Sequence, residues 1–266
     1  MSAAHVDLFD STYRHFASTL LTDIRREVFG DDIGQNSWLT LDEYDRFIAW
    51  LKLPPNGHVL EVACGSGGPA RYLAEQTDCR VCGIDSNEYA VATAAGSNDA
   101  VTCLRADANA PLPFASNEFD AVVCIDSMNH FPDRLGVLWE WHRVMRPGAR
   151  AVFTDPVVVT GPVTNEQLAI RSSIGTFVFV PQGVNEHLFE LAGLRLLQQQ
   201  DVTSNAALVS GRWLRAREQR ANDLIESEGR QRFEGLQEFF STVHCLASER
   251  RLSRIAYLVE KPATRL

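Results

Sequence analysis

The sequence lacks any apolar run long enough to cross a bilayer. Runs such as Ala121–Ile125 have the length of a buried strand, whereas a spanning helix needs about 20 apolar residues. The N-terminal segment MSAAHVDLFDSTYRHF is interrupted by charged side chains and contains no apolar signal core. We therefore expect a soluble, cytoplasmic protein with no membrane span.

Positive charge is also scarce. Lys and Arg number 25 against 34 Asp and Glu, which gives a formal net charge of −9 at pH 7. A protein that binds nucleic acid needs concentrated positive charge, because it has to neutralise phosphates. We therefore expect no nucleic-acid partner. Nothing in the sequence indicates an oligomeric state.

The cysteines do not form a metal-binding or disulfide framework. Of the six, Cys79 and Cys82 make a CxxC pair. That pair leads into the strand-like Gly83–Asp85, and alternating strand residues do not converge on one metal as a knuckle turn does. No second Cys or His pair stands at finger spacing. We predict no metal site and expect buried, free cysteines.

The composition that remains is that of an ordinary globular chain, 45% hydrophobic and 22% charged over 266 residues. Residues 1–53 are predominantly helical by periodicity. From 54 to 160 strand and helix patterns alternate, which predicts an α/β fold with a doubly wound parallel sheet. We expect residues 161–266 to complete the same domain.

The last third of the chain has a different pattern. The segment Gly161–Pro181 is predicted to be irregular and apolar, and a strand is expected over Leu194–Val202. Two helical stretches, about 204–228 and 231–249, then separate that strand from a final strand. The arginine-rich run RWLRAREQR lies on the first of these stretches and is interpreted as a solvated helix face.

One stretch, VLEVACGSGGPA (59–70), indicates a ligand site. An apolar strand enters a glycine turn, and Pro69 suits the first position of a helix. Glycines allow backbone amides to approach a ligand, and a helix N-terminus favours polar or anionic groups. Asp85 ends the next strand, where an acid can bind ribose hydroxyls. Gly65-x-Gly67-x-x-Ala70 also fits the dinucleotide fingerprint, so an NAD-dependent oxidoreductase stays open at this point.

Five segments together resemble one family. In order they are VLEVACGSG, GID, ADANAPLPF, FDAVVCIDSMNHF and MRPGARAVFTDP, and the chain from about residue 30 to 262 is similar to class I S-adenosylmethionine-dependent methyltransferases. The resemblance implies a Rossmann-like, seven-stranded sheet whose last strand is antiparallel. It also implies an N-terminal helical lid over 1–53, a cofactor-binding core over 54–160 and a helical insertion before the last strand.

The resemblance further implies S-adenosyl-L-methionine as cofactor and S-adenosyl-L-homocysteine as product. Glu61, Gly65 and Gly67 would line the methionine end, Asp85 the ribose and Asp107 the adenine. The residues expected to contact the cofactor are Glu61, Gly65, Gly67, Asp85, Ser86, Asp107, Ala108, Ile125 and, from the loop before the core, Gln35, Ser37 and Trp38.

Within the family the chain resembles small-molecule enzymes of the phosphoethanolamine N-methyltransferase, sarcosine-dimethylglycine and tocopherol-like groups. Asp126-Ser-Met-Asn-His130 matches the Asp-x-x-x-His of the phosphoethanolamine enzymes. That match implies that Asp126 holds an acceptor amine and that His130 pairs with an N-terminal residue, Tyr13 or His15. His130, Asp126 and Tyr13 are therefore the candidate catalytic residues.

The segment after the fifth predicted strand departs from the phosphoethanolamine pattern. It has no Arg or Lys between Arg171 and Pro181, and phosphate binding needs such donors. We expect a small-molecule acceptor with an apolar body, covered by Phe177, Phe179 and Trp213. Nitrogen is the favoured methylation site, with carbon or oxygen as alternatives. A catalytically silent protein of the same fold is a further alternative, against which the intact glycine turn counts.

Overall fold

A computed structural model describes residues 12, 13, 16, 18–94 and 100–263 of the chain. His15 and most of the N-terminal part of the expected first helix lie outside these residues. The strands are β1 (His58–Val62), β2 (Arg80–Asp85), β3 (Val101–Arg105), β4 (Phe119–Cys124), β5 (Met145–Val159), β6 (Val180–Pro181), β7 (Arg195–Asp201) and β8 (Leu252–Glu260).

Helices cover both faces of the sheet and form the insertion. They are α1 (Thr19–Phe29), α2 (Leu41–Leu51), α3 (Gly68–Thr77), α4 (Glu88–Ala94), α5 (Arg134–Val144), α6 (Asn165–Arg171), α7 (Val184–Leu191), α8 (Thr203–Gln219), α9 (Ala221–Glu228) and α10 (Arg230–Ser248). None of the described helices is long and apolar enough to cross a membrane.

Seven strands form the sheet in the order β3-β2-β1-β4-β5-β8-β7, and the short β6 pairs with β5. Strand β8 runs antiparallel to both β5 and β7, and the other pairs are parallel. The predicted seven-stranded α/β sheet with an antiparallel last strand is thus confirmed. The strand order reverses between β1 and β4, and a doubly wound sheet binds ligands at that reversal, beyond the carboxyl ends of its strands.

The central strands of the sheet are buried on both faces. On one face, Trp141 of α5 packs edge-on against Phe153 of β5, which stacks on Tyr257 of β8. On the other, α2 and α3 pack against β1 and β4, with Phe47 and Leu73 fully buried. Such two-sided burial explains why the parallel strands are near-continuous apolar runs.

The insertion packs on α1 and not on the sheet alone. Val28 of α1 lies in one apolar cluster with Val209 of α8 and Phe239 of α10. The interpretation of the run 212–220 as a solvated face was wrong, because its arginines join helices: Arg217 is buried and paired with Glu228 of α9. The single predicted helix 204–228 also breaks, at Arg220, into α8 and α9.

The apolar segment 161–181 contains a helix that was not predicted. Thr164 begins α6 with a reciprocal capping box: its hydroxyl accepts from the Gln167 amide at 3.2 Å, and the Gln167 side chain accepts from the Thr164 amide at 3.1 Å. A Thr-x-x-Gln pattern is a recognisable helix start. The helix ends at Arg171 and so delivers that side chain to the carboxyl edge of the sheet.

Candidate active site

A cavity of about 740 Å³ lies beyond the carboxyl ends of β1, β2 and β4. Its size is in the range of sites that hold a cofactor and a small molecule. We call its two parts the glycine-turn end and the aromatic end. The glycine-turn end is lined by Glu61, Gly65, Ser66, Asp85 and Ser86, and the aromatic end by Asn129, His130, Arg171, Phe177, Trp213, Phe239 and Phe240.

The glycine-turn end is built by a tie between two strands. The Gly65 amide donates to Asp85 Oδ2 at 2.9 Å, and the Asn87 amide donates to Asp85 Oδ1 at 2.9 Å. Gly65 has a φ of +54°, and a Cβ there would lie 2.6 Å from the Tyr13 hydroxyl. Glycine is therefore required both by the turn and by the close approach of Tyr13. Burial raises the pKa of Asp85.

Glu61 supplies a buried acceptor to this end. Its side chain is 3% exposed and lines the cavity, and its Oε2 has no hydrogen-bond partner among the residues that the structure describes. Burial raises the pKa of the carboxyl well above its usual range. A buried acid without a partner is costly, and a cationic group in the cavity would remove that cost. The arrangement fits the ammonium of an amino-acid moiety.

His130 has its tautomer fixed at the aromatic end. It lies in a short 3₁₀ turn after β4, and its Nδ1 is 2.8 Å from the Thr176 carbonyl oxygen. A carbonyl only accepts, so Nδ1 carries the proton and Nε2 carries the lone pair of the neutral ring. Burial lowers the pKa of His130 below 6.5. The ring is thus an unprotonated base at neutral pH, packed edge-to-face on Phe177 with centroids 4.7 Å apart.

Arg171 is the residue that the sequence interpretation missed. Its side chain is 2% exposed and lines the cavity. Its guanidinium carbon lies 4.9 Å from the centroid of Phe177, 5.0 Å from that of Phe239 and 5.9 Å from that of Trp38. Burial lowers its pKa to about 10, so it stays charged at neutral pH. The capping box of α6 was the available signal.

Comparisons with known proteins indicate the family of the chain. Residues 60–153 match a methyltransferase domain family. The chain is 29% identical to 27-O-demethylrifamycin SV methyltransferase of Amycolatopsis mediterranei, over 91% of this chain and 89% of that protein. The chain is a class I S-adenosylmethionine-dependent methyltransferase.

Two solved structures share the fold of the methyltransferase. The cyclopropane synthase MmaA2 of Mycobacterium tuberculosis superposes with a TM-score of 0.79 at 17% identity, over 96% of this chain and 98% of that one. Phosphoethanolamine N-methyltransferase 2 of Haemonchus contortus, solved with S-adenosyl-L-methionine, gives 0.78 at 18% identity, over 96% of this chain and 60% of that one. The cofactor of the methyltransferase is S-adenosyl-L-methionine, which the unpartnered Glu61 carboxylate and the glycine turn fit.

Asp126, which the sequence led us to expect to hold an acceptor amine, lines the cavity but is already paired with an arginine. Its Oδ1 accepts from Arg254 Nε at 2.7 Å and from the Thr154 hydroxyl at 2.6 Å, and its Oδ2 accepts from the Trp38 amide at 2.8 Å. Arg254 is completely buried and also donates to Glu43 at 2.6 Å. Asp126 therefore fixes the Trp38 loop against β4, β5 and β8, and it acts as a positioning residue.

Tyr13 lies at the glycine-turn end. Its hydroxyl lies over Gly65, and the Asn36 side chain is close enough to affect its pKa. Burial and the neighbouring Asp85 raise its pKa above the usual value, so the phenol stays protonated. Its expected pairing with His130 stays a prediction.

The loop before the core contributes some of its expected residues. Ser37, Trp38 and the unpredicted Asn36 line the cavity. The Gln35 side chain does not: it accepts from the Ile33 amide at 3.0 Å and donates to the Asp31 carbonyl at 3.3 Å. The polar atoms of Gln35 thus stabilise its own loop, and its expected cofactor contact stays a prediction.

The remaining predicted cofactor residues divide into two groups. Ser86 and Ile125 line the cavity. Gly67 begins α3 and packs against Ala94, and Ala108 is buried in the core. Asp107 is exposed and accepts from the Asn109 amide at 2.9 Å. The adenine contact of Asp107 and Ala108 stays a prediction.

Proposed function

We propose that this methyltransferase transfers a methyl group to a hydroxyl oxygen of a small molecule with an apolar body, and that His130 removes the hydroxyl proton. The observation behind the proposal is a single cavity with an acidic glycine-turn end and an aromatic end that holds an unprotonated histidine. When bound, S-adenosyl-L-methionine supplies a methyl group on a sulfonium, which is activated for in-line displacement.

The glycine-turn end holds the cofactor in this proposal. Glu61 accepts from the methionine ammonium, Asp85 accepts from the ribose hydroxyls, and the amides around Gly65 approach the methionine part closely. A carboxylate oxygen has two lone pairs, so the Asp85 bonds to Gly65 and Asn87 leave acceptor capacity for ribose. In this proposal the loop with Asn36, Ser37 and Trp38, which line the cavity, acts as part of a lid.

The charges at the aromatic end disfavour an ammonium acceptor. Arg171 is a buried cation within this end, and the charge of the acid expected to hold an amine, Asp126, is already paired with Arg254. A second cation would raise the electrostatic cost of both. A hydroxyl carries no charge, and a neutral imidazole with its lone pair on Nε2 can take its proton. Oxygen therefore replaces nitrogen as the proposed methylation site.

The relative that spans most of the chain supports oxygen as well. The substrate in its name, 27-O-demethylrifamycin SV, lacks a methyl group on an oxygen. That compound is not proposed as the acceptor here. The proposal concerns the chemical class only: a hydroxyl on an apolar molecule.

Incubation with trideuteromethyl-labelled cofactor tests the proposal. Metabolite extract from the source cells is the acceptor pool, and products are located by mass spectrometry and NMR of the labelled carbon. We expect an O-linked methyl group, formed by wild-type protein and about 10²–10⁴ times more slowly by His130→Gln. A labelled methyl group on nitrogen or carbon would refute the oxygen assignment. Unchanged turnover in His130→Gln would refute the role of the base.

A further inference from the structure

The aromatic end contains a buried cation whose partner is not part of the protein. The buried arginines of the described chain are Arg25, Arg134, Arg171, Arg217 and Arg254. Arg25 pairs with Asp32, Arg134 with Asp155, Arg217 with Glu228, and Arg254 with Asp126 and Glu43. Among these arginines, only the side chain of Arg171 makes neither a hydrogen bond nor an ion pair with the residues that the structure describes.

The neighbouring acids do not satisfy Arg171. Asp126 and Asp155 act on it electrostatically, but each is hydrogen-bonded to another arginine, at 2.7 Å and 2.5 Å respectively. Aromatic faces stabilise a guanidinium only partly. A buried charge without a hydrogen-bonded partner is among the most expensive features of a protein interior. An anionic group on a bound ligand would pair with Arg171 and remove this energetic cost.

The walls around Arg171 define the rest of such a ligand. Phe177 and Phe239 hold the guanidinium at 4.9 and 5.0 Å from their centroids. Farther along the same cavity Trp213 stacks on Phe240, with an interplanar angle of 7° and centroids 5.4 Å apart. These surfaces are apolar, so the anionic group has to sit on an apolar or aromatic body.

We propose that the acceptor is an apolar carboxylic acid whose carboxylate binds Arg171, while its hydroxyl lies toward His130. This inference rests on the proposed function. A planar guanidinium offers two parallel N–H donors that match a carboxylate. One unpaired guanidinium balances one negative charge. The other arginines that line the cavity each have an acid partner: Arg25, Arg105, Arg217 and Arg232. A carboxylate therefore fits better than a dianionic phosphate.

Calorimetry on protein saturated with S-adenosylhomocysteine tests the inference. The probes are octanoate, octanamide and octyl phosphate, which share one apolar chain and differ in the head group. We expect octanoate to bind at least tenfold more tightly than octanamide and more tightly than octyl phosphate. In Arg171→Met the octanoate affinity should fall at least tenfold, and the octanamide affinity should change less than threefold.

Arg230→Met is the matched control, because Arg230 is 71% exposed on α10 and the charge change is the same. It should bind octanoate like wild type. Failure of octanoate to bind, equal binding of octanamide, preference for octyl phosphate, or a retained preference in Arg171→Met would each overturn the inference. If Arg171→Met does not fold, the head-group ranking of wild type decides. The initial titration with S-adenosylhomocysteine separates the two levels, since its failure would instead count against the proposed cofactor end.

Discussion

Replacement of Asp85 by alanine isolates the proposed role of the glycine-turn end. Asp85 accepts from two backbone amides, Gly65 and Asn87, each at 2.9 Å. Burial nevertheless raises its pKa, because desolvation outweighs those two bonds. A carboxyl whose pKa is raised by folding makes its favourable contribution below the unfolded pKa and loses it as the pH rises through the folded pKa. At neutral pH the buried Asp85 carboxylate therefore destabilises the free protein.

The expected changes in cofactor affinity and in the Tm of the apo protein follow from this destabilisation. A charge-assisted hydrogen bond to a ribose hydroxyl contributes about 1.5–3 kcal/mol, which corresponds to about 10- to 150-fold in Kd. Asp85→Ala should therefore weaken S-adenosylhomocysteine binding by at least tenfold. The apo protein loses two amide acceptors but also a desolvated charge, so its Tm should change by less than about 4 °C, equivalent to roughly 1 kcal/mol.

Calorimetric titration and thermal unfolding of the same preparations check both values. Asp45→Ala is the control, because the Asp45 carboxylate is exposed on α2 and bonds only the Tyr72 hydroxyl, at 2.8 Å. The control should keep wild-type affinity. Two results would refute the reasoning: cofactor affinity within threefold of wild type in Asp85→Ala, or a loss of affinity accompanied by a large fall in the apo Tm, which would make Asp85 a structural residue.

Three further predictions concern other parts of the site. Because burial raises the Glu61 pKa, binding of the cofactor ammonium near pH 6 should release a proton; calorimetry in buffers of different ionisation enthalpy should show this release in wild type and not in Glu61→Gln. Because the His130 pKa is lowered below 6.5, kcat should fall toward acid pH with a midpoint below 6.5, and the pH profile of His130→Gln should lack that acid limb. Arg254→Met leaves Asp126 and Glu43 buried without a cation, so urea unfolding should show a loss of about 3–5 kcal/mol; a loss below about 1 kcal/mol would contradict the importance of this network.

Much of the cofactor end could be predicted because it is local in sequence. Glu61, Gly65 and Asp85 lie on two consecutive strands and the turn between them, and strand-turn-helix patterns are visible in composition. Parallel strands place their carboxyl ends at one edge, so the acids had to converge there. The sheet order and the antiparallel last strand were likewise predictable, from the family resemblance.

Asp126 shows where prediction from local pattern fails. An acid directly after β4 lies at the cavity edge, as expected, but Arg254 comes from β8, 128 residues later. Only the antiparallel insertion of β8 beside β5 brings that arginine under the loop. Gln35 has its partners, Ile33 and Asp31, within its own loop. In both cases a polar side chain near the cavity bonds protein groups that a linear pattern does not reveal.

The aromatic end was the least predictable part, and its construction explains why. Its walls come from α6, α8 and α10, which are separated by long stretches of chain and meet only because the insertion packs on α1. None of these helices is fixed by the cofactor, so their inward side chains can differ without loss of the glycine turn. Among these inward side chains, Arg171 bears a charge that is not paired with an acid, whereas Phe177 and Phe239 provide shape and apolar surface. Under the proposed binding mode, acceptor selection depends on a single buried charge within an apolar wall, and a change of that charge should alter the acceptor class while cofactor binding is retained.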